Sequence, residues 1–199
     1  DELGGIALAS NRQVAEQSDL LVLAVKPNVQ SEVIREIREI VLSAKDLCVV
    51  SIAAGRSSDQ IYTDFGAAVP LVRVMPNVNA QIGQSMSALC PLGTTEEQLA
   101  AARKLLDSVG QTIVLDEKYF PVFTAIASSS PAWIFRMIDA MAEAGVNHGL
   151  TKADSTRIVT QAFLGSAQLM LNGLDNGQVP ANFIDRVSSP GGTTIAGLL

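Results

Sequence analysis

Close to the C-terminus, Ser188, Ser189, Pro190, Gly191, Gly192, Thr193 and Thr194 bring hydroxyls, a proline stop and two glycines to the start of an apolar helical segment, 195–199. Glycines let a backbone approach a ligand without interference from Cβ, and the free N–H groups of a helix's first turn point outward with positive partial charge. That chemistry suits a small carboxylate or phosphate. The same residues also make an ordinary capped helix start, so what they do depends on what the rest of the chain supplies.

Three further groups stand where apolar runs end: Ala24-Val25-Lys26-Pro27, Ser51-Ile52-Ala53-Ala54-Gly55 and Val74-Met75-Pro76-Asn77. In an open parallel sheet, ligands bind beyond the carboxyl ends of the strands. Small residues at two of these ends leave room for a flat ligand, and prolines at two of them fix the loop. Any one of the three is a common turn; their recurrence at successive strand ends is what points to a ligand site.

The elements that must hold these groups follow from periodicity. From residue 11 to about 115, short apolar runs alternate with amphipathic stretches, which predicts βα units and a largely parallel sheet. Strands are expected at 20–25, 47–52, 71–74, 85–89 and 112–115, with covering helices over 29–44 and 58–65, the latter stopped by Gly66. Thr94 and Glu97 have capping-box spacing for a further helix, and Gly110 sits where a C-terminal glycine belongs. After about residue 117 the pattern changes to helix after helix: 121–127, 131–146, 153–171 begun by a Thr151-x-x-Asp154 box, and two short ones after Pro180 and Gly192. The expected domains are therefore 1–117 and 118–199. The helix over 153–171 is apolar on more than one face, and about 80 residues are few for a self-sufficient core of that kind, so the helical domain is expected to pack against a second copy of itself.

Composition narrows the function. The chain has 199 residues, 48% of them apolar, with a net charge of −6 and scattered Lys and Arg, so nothing suggests a nucleic acid or an anionic membrane as partner. Cys48 and Cys90 lie in apolar runs without metal-ligand or disulfide spacing, which reads as two reduced thiols in a cytoplasmic setting. No apolar run is long enough to span a bilayer. The single histidine, His148, reads as a helix-end or surface residue, and Trp133 as a core or dimer contact. No metal site is expected. An opening Asp1 soon followed by a strand suggests that an N-terminal part of a longer protein is absent.

Taken together, these motifs resemble the pyrroline-5-carboxylate reductases over essentially the whole chain: Asn11 with Ser18-Asp19, Ala24-Val25-Lys26-Pro27, Ala53-Ala54-Gly55, Arg73-Val74-Met75-Pro76-Asn77, Ala144-Gly145-Val146 with Gly149-Leu150, and Ser188-Ser189-Pro190-Gly191-Gly192-Thr193-Thr194. The last of these is the most specific. The resemblance implies an α/β fold, a Rossmann-type mostly parallel sheet followed by an all-helical dimerisation domain, interlocked with a partner as a homodimer or a larger ring of dimers. It implies hydride transfer from NADPH or NADH to the C=N bond of 1-pyrroline-5-carboxylate, giving L-proline. Ser189, Gly191, Gly192, Thr193 and Thr194 would bind the substrate, with Thr194 the candidate catalytic group at the ring nitrogen. Asn11 would contact the adenine-side ribose, Ala24, Val25, Lys26 and Pro27 would line the dinucleotide, and Ala53, Ala54 and Asn77 would border the nicotinamide. In that picture the tail grips an acid group while the nucleotide lies across the rim of the sheet.

Three departures accompany the resemblance. The glycine-rich first turn that receives the pyrophosphate would lie upstream of Asp1, with on the order of two βα units of roughly 30 residues each, and a last helix would follow Leu199. Ser128 and Ser130 stand where glycines are typical, and Ser130 is expected to cap a helix that has Pro131 at its first position. The alternatives are a non-catalytic dimerising fragment, or a related two-domain dehydrogenase of β-hydroxy acids or imines that uses a helix-borne lysine, for which Lys152 is the nearest option.

Overall fold

A computed structural model describes residues 4–199. The chain forms two compact units, the first reaching Pro131 and the second Ala132–Leu199. In the first, β1 (Leu20–Leu23), β2 (Cys48–Ser51), β3 (Leu71–Met75), β4 (Ser85–Leu92) and β5 (Gly110–Val114) lie side by side in chain order. β1, β2 and β3 run parallel, β4 is antiparallel to β3, and β5 is parallel to β4. Connection length explains the reversal. Helices α2 (Pro27–Ser43) and α3 (Ser58–Phe65) carry the chain back between parallel neighbours, whereas residues 76–84 hold only a 3-10 turn (Val78–Ile82), too short for a crossover. Helix α4 (Glu96–Asp107) makes the crossover from β4 to β5.

Both faces of the sheet are covered, as parallel strands require. On one, Leu21, Leu23, Val49 and Leu71 pack with Ile34, Ile37 and Val41 of α2 and with Ile61 and Phe65 of α3. On the other, Cys48, Val50, Val72, Val74 and Leu89 meet Ala102 and Leu106 of α4. Each fully buried side chain of this size contributes about 1.5–3 kcal/mol relative to exposure.

Local signals fix several boundaries. Ser57 accepts from the Gln60 amide while the Gln60 side chain accepts from the Ser57 amide, and Gly66 at φ 74 ends α3 where the sequence places its stop. The helix after β4 starts one residue later than the Thr94/Glu97 spacing predicts. Thr95 and Gln98 form the capping box, and Gln98 Nε2 also donates to the Asp46 carbonyl at 3.1 Å, a tertiary anchor that Glu97 could not make. Gly110 is not a helix cap either: Ser108, in right-handed helical conformation, closes α4, and Gly110 is the first residue of β5, paired with Ser85.

The largest correction falls on 117–131. A 3-10 turn (Glu117–Tyr119) leads into α5 (Phe120–Phe123), which widens into a π-helical turn (Thr124–Ser129) and continues without a break into α6 (Ser130–Asn147). Ser130 is helical, not an N-cap. The reason lies in Pro131, which has no N–H for the Ala127 carbonyl four residues back. That carbonyl instead accepts from Asn77 Nδ2 at 3.0 Å and Ser130 Oγ at 3.3 Å. Neither Ser128 nor Ser130 has positive φ, so serine costs nothing where glycine is typical.

The second unit holds most of α6, then α7 (Lys152–Leu174), α8 (Pro180–Val187) and α9 (Thr193–Leu198). Thr151 Oγ1 accepts from the Asp154 amide, as its spacing predicts. Gly145 admits the Ser155 hydroxyl, and Gly173 admits the Phe183 ring, positions where any Cβ would collide. Few side chains are buried here, among them Ala142, Ser155 and Val159. Trp133, Phe135, Met141, Ile158, Leu164 and Leu169 are each more than half exposed, an apolar surface of the kind that marks a protein interface. Among the described residues, no helix is long and apolar enough to cross a membrane.

Candidate active site

Because β1, β2 and β3 run parallel, the three groups that follow them emerge at one rim of the sheet. After β1, Ala24 and Val25 lead to Lys26, whose extended backbone (φ −60, ψ 148) is what a residue before proline adopts, and Pro27 opens α2. After β2, Ile52, buried Ala53 and exposed Ala54 lead to Gly55, whose φ of 75 turns the chain toward α3. After β3, Asn77 Oδ1 accepts from the Asn79 amide while its Nδ2 holds the Ala127 carbonyl. Ser128 Oγ donates to the Pro76 carbonyl at 2.8 Å, and the Asn77 amide donates to Ser85 Oγ at the start of β4. Lys26, Pro27, Ala53, Ala54 and Asn77 are thus brought together, with the π-helical turn as one wall. Asn11 stands apart: it opens α1 (Asn11–Glu16), and its Nδ2 donates to Glu36 Oε2 at 2.7 Å, about 13 Å along α2 from the rim at 1.5 Å per residue.

Polar residues behind the rim escaped the sequence reading. Gln30 is fully buried; its Nε2 donates to Ser51 Oγ at 2.8 Å and its Oε1 accepts from Arg56 Nε at 3.1 Å. Arg56 also pairs with Asp64, which accepts from Ser31 Oγ. The signal was present: Gln30, Ile34, Ile37 and Val41 form one helical stripe, and a glutamine in an apolar stripe is a buried polar group in need of partners.

Beside Ala54 and Gly55 a cleft of about 470 Å³ is lined by Arg73, Met75, Glu117, Phe120 and Thr124. Arg73 Nη1 donates to Glu117 Oε1 at 2.7 Å, and its guanidinium lies 4.5 Å from the centroid of the Phe120 ring. The Ser58 amide donates to the same oxygen at 2.7 Å, and the Ser58 hydroxyl donates to Oε2. Burial opposes the charge on Glu117, but the bonds from Ser58 and the neighbouring Arg73 outweigh it, so this carboxyl titrates below its ordinary range. Burial, reinforced by Glu117, pushes the Cys90 thiol up, and burial pushes Cys48 up to about 11. Neither thiol is a nucleophile near neutral pH.

In the second unit, Gly191 has φ 69 and Gly192 begins α9. Gly192 leaves room for the Ser189 hydroxyl: a Cβ there would lie 2.5 Å from Ser189 Oγ, which would have to turn away. Its amide is committed to the Ser189 carbonyl at 3.0 Å, whereas the amides of Gly191, Thr193 and Thr194 have no acceptor among the described residues. Ser188 Oγ is shielded from solvent without a partner, and a buried hydroxyl in that state fits a ligand with acceptor oxygens. Thr193, Thr194 and Ser189 are exposed. Lys152 is engaged elsewhere, donating to Asp139 Oδ1 at 2.7 Å. That hydrogen bond and charge hold the Asp139 carboxyl below its ordinary range. His148 closes α6 with its amide on the Gly145 carbonyl and its side chain exposed.

Comparison with known proteins identifies the family. Residues 117–199 match the family model described as pyrroline-5-carboxylate reductase dimerisation, and residues 1–55 match that described as NADP oxidoreductase, coenzyme F420-dependent. A pyrroline-5-carboxylate reductase from Aquifex aeolicus is 38% identical over 98% of this chain and 71% of its own length. The crystal structure of 1-pyrroline-5-carboxylate reductase from Streptococcus pyogenes is 41% identical and superposes with a TM-score of 0.84, covering 99% of this chain and 73% of that one. The pyrroline carboxylate reductase of Plasmodium falciparum, solved with NADP bound, is 27% identical with a TM-score of 0.85, over 96% of this chain and 71% of that one.

Proposed function

The chain belongs to the pyrroline-5-carboxylate reductase family, and on that premise we propose how its residues divide the work. It is an oxidoreductase that transfers a hydride from NAD(P)H to the C=N bond of 1-pyrroline-5-carboxylate, giving L-proline in the last step of proline biosynthesis. The dimerisation region makes it a homodimer. We place the division between cofactor and dimerisation regions at 117/118.

The rim supplies the cofactor site. Ala24, Val25, Lys26 and Pro27 line the dinucleotide, and Ala53, Ala54 and Asn77 border the nicotinamide, where short side chains leave a flat ring room to lie. Asn11 contacts the adenine-side ribose, consistent with its place away from the rim. When bound, NAD(P)H supplies the hydride. Asn77 works through its backbone position, because its amide side chain is spent on Asn79 and Ala127.

The tail supplies the substrate site. The amides of Gly191 and Thr193 and the hydroxyls of Ser189 and Thr194 hold the substrate carboxylate, and Gly192 keeps the turn tight enough for them to converge. The unpartnered hydroxyl of Ser188 supports this assignment. Thr194 also hydrogen-bonds the ring nitrogen. A threonine hydroxyl is too weak an acid to protonate an imine, so it orients the ring while the proton arrives with the substrate or from water. Orientation and electrostatics therefore carry the catalysis.

The observation that carries this reading is the emergence of three sequence-distant groups at one end of three parallel strands. We further propose a cytoplasmic location and assembly of the dimers into a ring. The test is a titration of the chain with NADPH followed by fluorescence, with oxidation of NADPH on addition of 1-pyrroline-5-carboxylate. Saturable binding and substrate-dependent turnover are expected; no binding at millimolar cofactor would leave the chain a non-catalytic dimerising unit.

A further inference from the structure

We propose, resting on the cofactor site above, that Glu117 is a positioning residue whose carboxylate holds the nicotinamide-facing turn 52–57 by tying the start of α3 to Arg73 of β3. The turn has two ends. The buried Gln30 holds Ser51 at the first end and, past Gly55, the side chain of Arg56. The second end is the first turn of α3, where amides have no intrahelical acceptor. Ser57 Oγ takes the Gln60 amide and leaves that of Ser58 open. Glu117 takes it, with the Ser58 hydroxyl on its other oxygen.

The carboxylate is held in turn by Arg73, whose side chain is only 11% exposed and whose guanidinium is braced on Phe120. One acidic side chain therefore joins three elements around the cleft wall that faces Ala54. Between the two anchors, Gly55 in left-handed conformation is the soft point of the turn. Removing the charge of Glu117 leaves the largely buried Arg73 guanidinium without its counterion, a strongly unfavourable state that movement of the turn would relieve. Glu117 is also the first residue of the matched dimerisation region, so the segment that leads into that region sets the shape of a cofactor wall.

The test compares wild type with Glu117→Gln. Amide hydrogen exchange of the cofactor-free protein should quicken about tenfold over 53–60 while α4 is unchanged, and the NADPH Kd should rise about tenfold. The KM for NADPH should rise more than that for 1-pyrroline-5-carboxylate. Arg73→Lys, which keeps the charge, should retain most of the affinity that Arg73→Met loses. Should Glu117→Gln fail to fold, Ser58→Ala removes one donor only and should weaken NADPH about threefold. Wild-type exchange over 53–60 with an unaltered Kd overturns the proposal, as does a KM effect confined to the pyrroline substrate. Faster exchange at 53–60 supports the clasp even where wild type binds no NADPH, an outcome that would remove the reductase reading alone.

Discussion

Gly110 and Ser85 are paired so closely across β4 and β5 that a Cβ on Gly110 would stand 2.1 Å from the Ser85 carbonyl oxygen and 2.3 Å from its nitrogen. Backbone cannot retreat as a side-chain tip can. Gly110→Ala should therefore cost about 3 kcal/mol or more, lowering Tm by about 6–12 °C in a chain of this size. A thermal melt within 2 °C or so of wild type would mean that the strand start relaxes freely.

In the proposed site, Thr194→Ala removes the hydroxyl assigned to the ring nitrogen. The KM for 1-pyrroline-5-carboxylate should rise and turnover fall, together by about five- to tenfold, while the NADPH KM stays put. Steady-state kinetics with each substrate varied in turn decide this; identical constants would take Thr194 out of the site.

Gln30→Leu keeps the volume of a fully buried side chain but strips Ser51 Oγ and Arg56 Nε of their partner. The loss should be about 1–3 kcal/mol, read as a shift in the urea midpoint. Gln30→Glu should be tolerated better, because it still accepts from Arg56.

Much of this arrangement was legible in the residues. Ser57, Gln60 and Gly66 announce both ends of α3, and Thr151 with Asp154 announces α7, because caps act locally and leave their mark in adjacent residue types. The groups at the strand ends could be located from the apolar runs before them. Direction could not: an apolar run reads the same both ways, so the reversal of β4 appears only in its pairing with β3. Thr94/Glu97 and Thr95/Gln98 offer equal spacing, and only the distant Asp46 carbonyl chooses between them. Ser130-Pro131 reads as a helix start for the same reason, since the partner that lets the helix run through is Asn77, more than fifty residues away.

Acid should erase the contribution of Glu117 in a defined order. Its carboxyl titrates lower in the folded chain than its ordinary value of 4.5. The stability it adds is thus fully present above that value and is lost as pH falls through the lowered one. Urea unfolding of wild type and Glu117→Gln should differ most near neutral pH and converge in acid. A gap that persists unchanged in strong acid would show that hydrogen-bond shape, not ionisation, sets the difference.

The exposed apolar face of α7 gives a test of assembly. Leu164→Glu places a charge on a surface that is half open in one chain and should separate the dimer, seen by light scattering as a fall to the mass of a single chain or of a smaller assembly. An unchanged mass would put Leu164 outside the interface.

The hairpin formed by β3 and β4 bears on how the molecule comes into being. Its strands meet across a link of residues 76–84, while every parallel pairing must wait for a whole helix to return. Short-range contacts carry the smaller loop-closure cost and form sooner. The Pro76-Asn77 corner should thus form before Ala53 and Ala54 are set beside it at the end of β2, and mutations at the corner should slow folding, whereas those at Ala53 should act chiefly on unfolding.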